Sequence, residues 1–168
     1  MINTLQVERR TLHLRSIDEL LAELDRIEQA EKAGTLRAVG NWTPGQILGH
    51  VAAWIEYGWS GYPIKSPPWP ISWLLRRTLK RTLREGLKSG VKIPGVAGGT
   101  TGTEPLETDV ALQRLRTALQ RLQAAEPVQY ESPAFGPMSQ ADRVTLQLRH
   151  AELHLSYLVL GDQEHHMR

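Results

Sequence analysis

Four stretches of this chain repeat apolar residues at helical spacing, and three of them open on a helix-capping signal. That combination commits most of the chain to amphipathic helices packed on one another. In the first, Ser16-Ile17-Asp18-Glu19 forms a capping box, Ile17, Leu20, Leu21, Leu24 and Ile27 follow on one face, and Gly34 closes the segment. In the second, Thr43 suits the cap, Pro44 the first helical position and Gln46 the reciprocal capping position, ahead of a stripe of Ile47, Leu48, Val51, Trp54 and Ile55. The third begins at Thr108 or Asp109 and runs through Leu112, Leu115, Leu119 and Leu122 to about Ala125, before Pro127. The fourth is capped by Ser139, with Asp142 at the reciprocal position. It is apolar nearly all round in its second half, so the reading is a central helix continuing to Gly161.

The expected fold is therefore all-α, a four-helix bundle in a single domain of residues 1–168. Residues 1–15 precede the first cap, and their weak alternation reads as an extended arm or short edge strand. Between the second and third bundle helices lies a long insert, residues 61–105. Its first part, 61–70, is turn-rich. Residues 71–88 read as a basic amphipathic helix with Leu75, Leu79, Leu83 and Leu87 along one side. Residues 89–105, with five glycines and two prolines, read as a long loop.

Charge follows the same division. Lys65 to Lys92 carries eight basic residues and one acid, Glu85, for +7; the remaining 12 basic and 17 acidic residues give −5. Such an asymmetry fits an anionic partner, or a basic helix lying on an acidic body. No apolar run approaches the ~18 residues of a membrane span, and Met1 to Ser16 lacks a signal-peptide core, so the expected location is cytoplasmic.

The 168 residues include no cysteine and six histidines. Disulfides, thiolate metal sites and a cysteine nucleophile are excluded, and any metal must be held by imidazole and oxygen ligands. His150 and His154 are spaced i, i+4, which puts both rings on one helix face about 6 Å apart. His50 falls on the apolar stripe of the second helix and points inward. Facing inner positions of a bundle converge, and three imidazoles would leave an open coordination position of the kind found in catalytic zinc sites. The sequence from His150 to His154, HAELH, is not the metalloprotease HExxH: Glu152 lies two residues after His150 and faces elsewhere, as a surface or helix-pairing group. His13 in the arm, and His165 and His166 at the end, have no fixed place in such a site.

The segment Asn41 to Ala52 (NWTPGQILGHVA) resembles the second-helix start of the DinB/YfiT-like superfamily. Phe135 to Ser139 (FGPMS), followed by Leu148 to Leu155 (LRHAELHL), resembles that superfamily's fourth helix and the loop before it. The resemblance implies a four-helix bundle in which His50, His150 and His154 bind a divalent metal: zinc or nickel first, then manganese or iron. Members include metal-dependent transferases of low-molecular-weight thiols, a thiol-dependent isomerase and hydrolases. It thus implies a metal-dependent transferase or hydrolase acting on a small molecule, with a low-molecular-weight thiol as cosubstrate. The long basic insert and Arg-rich arm depart from the usual pattern and suggest an uncharacterised branch.

With no cysteine in the chain, any sulfur nucleophile comes from outside. Gln46, one turn before His50, Tyr57, two turns after it, and Tyr157, three residues after His154, are candidates to bind substrate or orient a ligand. The simpler alternatives are a helix cap for Gln46 and packed tyrosines with rim hydroxyls. A different class of function is a non-catalytic binding protein using helix 71–88, with nucleic acid, another anionic partner or a membrane surface as target, although no base-reading motif accompanies it. Trp59, Tyr62, Trp69 and Trp73 form a tryptophan-rich turn. It could line a pocket mouth, make a homodimer contact, or pack as a satellite core.

Overall fold

The structure is a computed structural model describing residues 2–4 and 6–161. Its helices are α1 (Ile17–Lys32), α2 (Pro44–Ser60), α3 (Trp69–Glu85), α4 (Thr108–Gln123) and α5 (Gln140–Leu155). Two short strands, β1 (Arg37–Ala38) and β2 (Leu158–Val159), pair antiparallel, with Arg37 opposite Val159 and Ala38 opposite Leu158. Among the described residues the fold is all-α apart from this ladder and an isolated bridge between Ser132 and Gly136.

Local chemistry sets the helix starts. Glu19 N donates to Ser16 Oγ, Gln46 N to Thr43 Oγ1, and Asp142 N to Ser139 Oγ, each supplying an acceptor for an otherwise unpaired first-turn amide. At Thr43 the box is complete, because Thr43 N also donates to Gln46 Oε1 at 3.0 Å. The apolar faces of α1, α2, α4 and α5 then share one core, in which Leu20, Leu24, Ile27, Leu48, Val51, Leu115, Leu119 and Leu155 are sealed from solvent. The segment leading into α4 passes close over Gly45, where a Cβ would collide with the Leu106 carbonyl oxygen.

The last helix is shorter than the apolar run suggests. It stops at Leu155, and Leu158 and Leu160 enter the core from extended backbone. A short apolar run does not distinguish buried strand from buried helix, and β1 supplies the partner that decides it. Val39 N donates to the Tyr157 carbonyl and Thr35 Oγ1 to the Leu160 carbonyl, extending the tie. The basic helix is also displaced from the expected 71–88. It begins at Trp69, since Pro70 falls in the first turn where no amide partner is needed, and it ends before Gly86 at φ 86°.

The arm, residues 6–15, lies along the C-terminal part of α5. Leu14 N donates to Glu152 Oε1 at 2.6 Å, and Arg10 pairs with Glu23 of α1 at 2.7 Å. Glu152, which also pairs with Arg149, is thus the arm's anchor. The acids of α1 do not serve the basic helix; Asp25 and Glu28 pair with Arg116 of α4.

Two helices end in the same hydrogen-bond pattern. After α1, Gly34 N bonds Glu31 O and Thr35 N bonds Ala30 O; after α4, Ala125 N bonds Leu122 O and Glu126 N bonds Arg121 O. Both place one residue in the left-handed region, Gly34 at φ 68° and Ala125 at φ 53°. Only the first is glycine. Ala125→Gly is expected to stabilise the fold by about 1 kcal/mol, seen as a higher urea midpoint at unchanged slope. An unchanged or lower midpoint would count against this account of the turn.

Candidate metal centre

The α2 cap fixes where His50 falls. Counting from Thr43, it sits on the stripe of Ile47, Val51 and Trp54 and is 1% exposed. α5 crosses the same region and turns His150 and His154 toward it. Ring centroids are 4.4 Å apart for His50–His154, 4.6 Å for His150–His154 and 5.0 Å for His50–His150. One nitrogen from each ring can be chosen so that all three lie within 4.8 Å of one another. Among the described residues, no carboxylate belongs to the group.

Hydrogen bonding orients the first ring. His50 Nδ1 lies 2.8 Å from the Thr101 carbonyl oxygen. A carbonyl only accepts, so Nδ1 carries the proton and the neutral ring keeps a lone pair on Nε2. That Nε2 faces His150 Nε2 at 3.2 Å. Two nitrogens each ~2.0–2.1 Å from a tetrahedral zinc ion stand about 3.3 Å apart, so the spacing suits two ligands of one ion.

The electrostatics agree with that geometry. Burial pushes the His50 pKa down to about 4, against weaker opposing effects of the Thr101 carbonyl and the Glu104 charge. His150 and His154 are held well below the usual imidazole range, first by burial and then by the repulsion that protonating adjacent rings would incur, with Arg9 adding to it at His154. All three are neutral at pH 7, the form that ligates a metal. His150 Nδ1 is buried with no hydrogen-bond partner among the described residues.

Aromatic rings wall the triad. Trp42 stacks on His154 at 5.6 Å with planes 12° apart and lies 5.0 Å from His50. Trp54 lies 5.7 Å from His150 and contacts Tyr57 and Tyr62 on its other side. Loop 89–105 covers the α2 side. Gly102, at φ 73°, packs so closely that a Cβ would meet Ala53 Cβ at 2.7 Å and the Tyr57 hydroxyl at 3.1 Å. His150 and His154 retain partial solvent access.

The profile of the family described as "Protein of unknown function (DUF1569)" matches residues 6–160. The chain belongs to this family. No curated protein and no solved structure matches it. The matched span of this DUF1569 chain takes in the arm, all five helices and the three clustered histidines.

The other sequence candidates fall in different places. Gln46 caps α2 and also donates from Nε2 to the Thr103 carbonyl at 2.9 Å, so it pins the cover loop. Tyr57 stands in the Trp54–Tyr62 cluster with its hydroxyl at Gly102. Tyr157 is not brought to the triad by its hydroxyl, which donates to the Thr4 carbonyl, while Arg9 lies over its ring. His13 is exposed in the arm; His165 and His166 lie outside the described residues. The tryptophan-rich turn is divided. Trp59 is buried beneath Arg121, Tyr62 joins Trp54, and Trp69 and Trp73 face solvent. Sequence reasoning did not single out Trp42 or Thr101 for the site. An aromatic residue just before a helix cap was a weak signal for the first; a main-chain carbonyl 51 positions from its partner offered none for the second.

Proposed function

We propose that this DUF1569 chain is a DinB-like metalloprotein, a four-helix bundle of α1, α2, α4 and α5 in which His50, His150 and His154 hold one divalent metal. The observation that carries this reading is the convergence of three neutral imidazoles with the proton of His50 held on Nδ1 by Thr101. The DinB-like segments around His50 and His150 support it, because the chain brings those two segments into contact. Imidazole-only donors suit zinc or nickel, with manganese or iron less favoured. The donor set and spacing fit such an ion.

The further proposal is catalysis on a small molecule, as a thiol-cosubstrate transferase or a hydrolase, in a cytoplasmic setting. A metal bound here would supply Lewis acidity to an oxygen or sulfur ligand of the substrate. The chain's own part is to keep His50 in one tautomer, to narrow the site with Trp42 and Trp54, and to cover its α2 side with loop 89–105. With no cysteine present, the sulfur of a transferase reaction comes from the cosubstrate.

The test is reconstitution of metal-free protein with zinc, nickel, manganese and iron(II). About one ion per chain and a raised melting temperature are expected for at least one of them. Retention of none rejects the metal site. The loaded protein is then assayed with thiols plus electrophiles and with hydrolysable esters and amides, using His150→Ala as blank. Absence of turnover in every class rejects the catalytic part alone.

A further inference from the structure

Unlike the other four α-helices of the described residues, α3 has no fully buried residue. At 100° per residue, its inward side carries Leu75, Leu79 and Leu83, all partly covered, and it packs against α5. Trp73 and Leu74 project away from that side and Trp69 flanks it; they are 52%, 58% and 80% exposed. The outward side also carries Arg77, Lys80, Arg81 and Arg84, all exposed. Large apolar groups therefore occupy its N-terminal half, and cations its C-terminal half. Arg77 lies over the Trp73 ring at 4.0 Å, joining the two. Glu85 is the one acid of the helix and pairs with Arg81 and Arg84.

Three kinds of partner can be weighed against this face. A second copy meeting it in a parallel sense would set cations against cations, and in an antiparallel sense would leave Leu74 against guanidinium and ammonium groups. A second copy offering its acidic α1 would satisfy the charge but not the tryptophans, since the large apolar residues of α1 are not exposed. A nucleic acid would satisfy the charge but gives Leu74 nothing apolar to enter. An anionic lipid surface matches both halves: headgroups for the cations, and the acyl boundary for the indoles and Leu74.

We propose that α3 is a docking helix for an anionic membrane surface, lying in the interface with Trp69, Trp73 and Leu74 inserted and Arg77, Lys80, Arg81 and Arg84 on the headgroups. This surface is independent of the histidine cluster. No helix of the described residues is long and apolar enough to cross a membrane, so the contact is peripheral.

The experiment is co-sedimentation of the full chain with vesicles of phosphatidylglycerol in phosphatidylcholine, against vesicles of phosphatidylcholine alone, at about 0.15 M salt. Binding to the anionic vesicles only is expected, with a blue shift in tryptophan emission. Trp69→Ser/Trp73→Ser should remove the shift and most binding. Neutralising the four cations to glutamine should lower partitioning by roughly 1,000-fold. Every substituted side chain is exposed, and circular dichroism checks that the variants fold.

No sedimentation with anionic vesicles, equal binding to neutral ones, or binding unaffected by either variant overturns the proposal. So does tighter, α3-dependent binding to a DNA or RNA oligonucleotide than to the anionic vesicles, or self-association through α3 in place of vesicle binding.

Discussion

His154→Ala is expected to abolish stoichiometric metal binding while leaving the chain folded. In the proposed site His154 supplies one of three nitrogens; it has partial solvent access and stacks on Trp42 rather than filling the centre of the core. Its loss leaves His50 and His150, two ligands 3.2 Å apart that cannot complete the set. Affinity should fall by roughly 100-fold or more, read by competition with a chromophoric chelator. Circular dichroism and the urea midpoint of the metal-free variant separate this from unfolding. His13→Ala, in the exposed arm, is the matched control and should bind as the parent does. Equal affinity in the His154 variant, or equal loss in the His13 variant, would sink the assignment.

Acidification of the metal-free protein should destabilise it well above the range where carboxylates titrate. An unfolded histidine takes up its proton near pH 6.5, whereas His50 in the fold does so only near 4. Between those values the unfolded chain binds more protons, so stability is full above ~pH 6.5 and falls as the pH drops toward 4. His50 alone should remove about 2 kcal/mol by ~pH 5. His150 and His154, also lowered, act with the same sign. Urea midpoints at pH 7 and 5 measure the slope, and replacing His50 with glutamine should reduce it. A flat midpoint across that interval would show that the three rings are not buried as neutral groups. Metal release should accompany the same interval, since protons and metal compete for the same nitrogens.

What the sequence disclosed divides along physical lines. Ser16, Thr43 and Ser139 were legible as helix starts because a cap is a contact over three residues. The pairing of His150 with His154 was legible because one turn of helix brings i and i+4 together. The approach of His50 to that pair is a long-range contact that spacing alone does not supply; it was drawn from bundle convergence and the DinB-like segments. The end of α5 was not legible, because Leu158 and Leu160 belong to an apolar run with no distinguishing period and take extended form only through pairing with Arg37–Ala38. The early start of α3 was masked by prolines that read as turn residues, although a helix tolerates them in its first turn. From its spacing Glu152 reads as a surface or helix-pairing group; its partnership with the Leu14 amide depends on where the arm is laid down.

The bond from His50 to Thr101 has a consequence for how this protein can vary. Its acceptor is main chain, so a side-chain replacement at position 101 does not remove the accepting oxygen. What holds the carbonyl in place is the register of the loop: Gln46 gripping the Thr103 carbonyl on one side, and Gly102 closing on Ala53 and Tyr57. The ring is therefore aimed by the number of residues in a loop more than by their identity. A segment that elsewhere would absorb insertions and deletions without consequence is, in this chain, a gauge setting the position of a histidine.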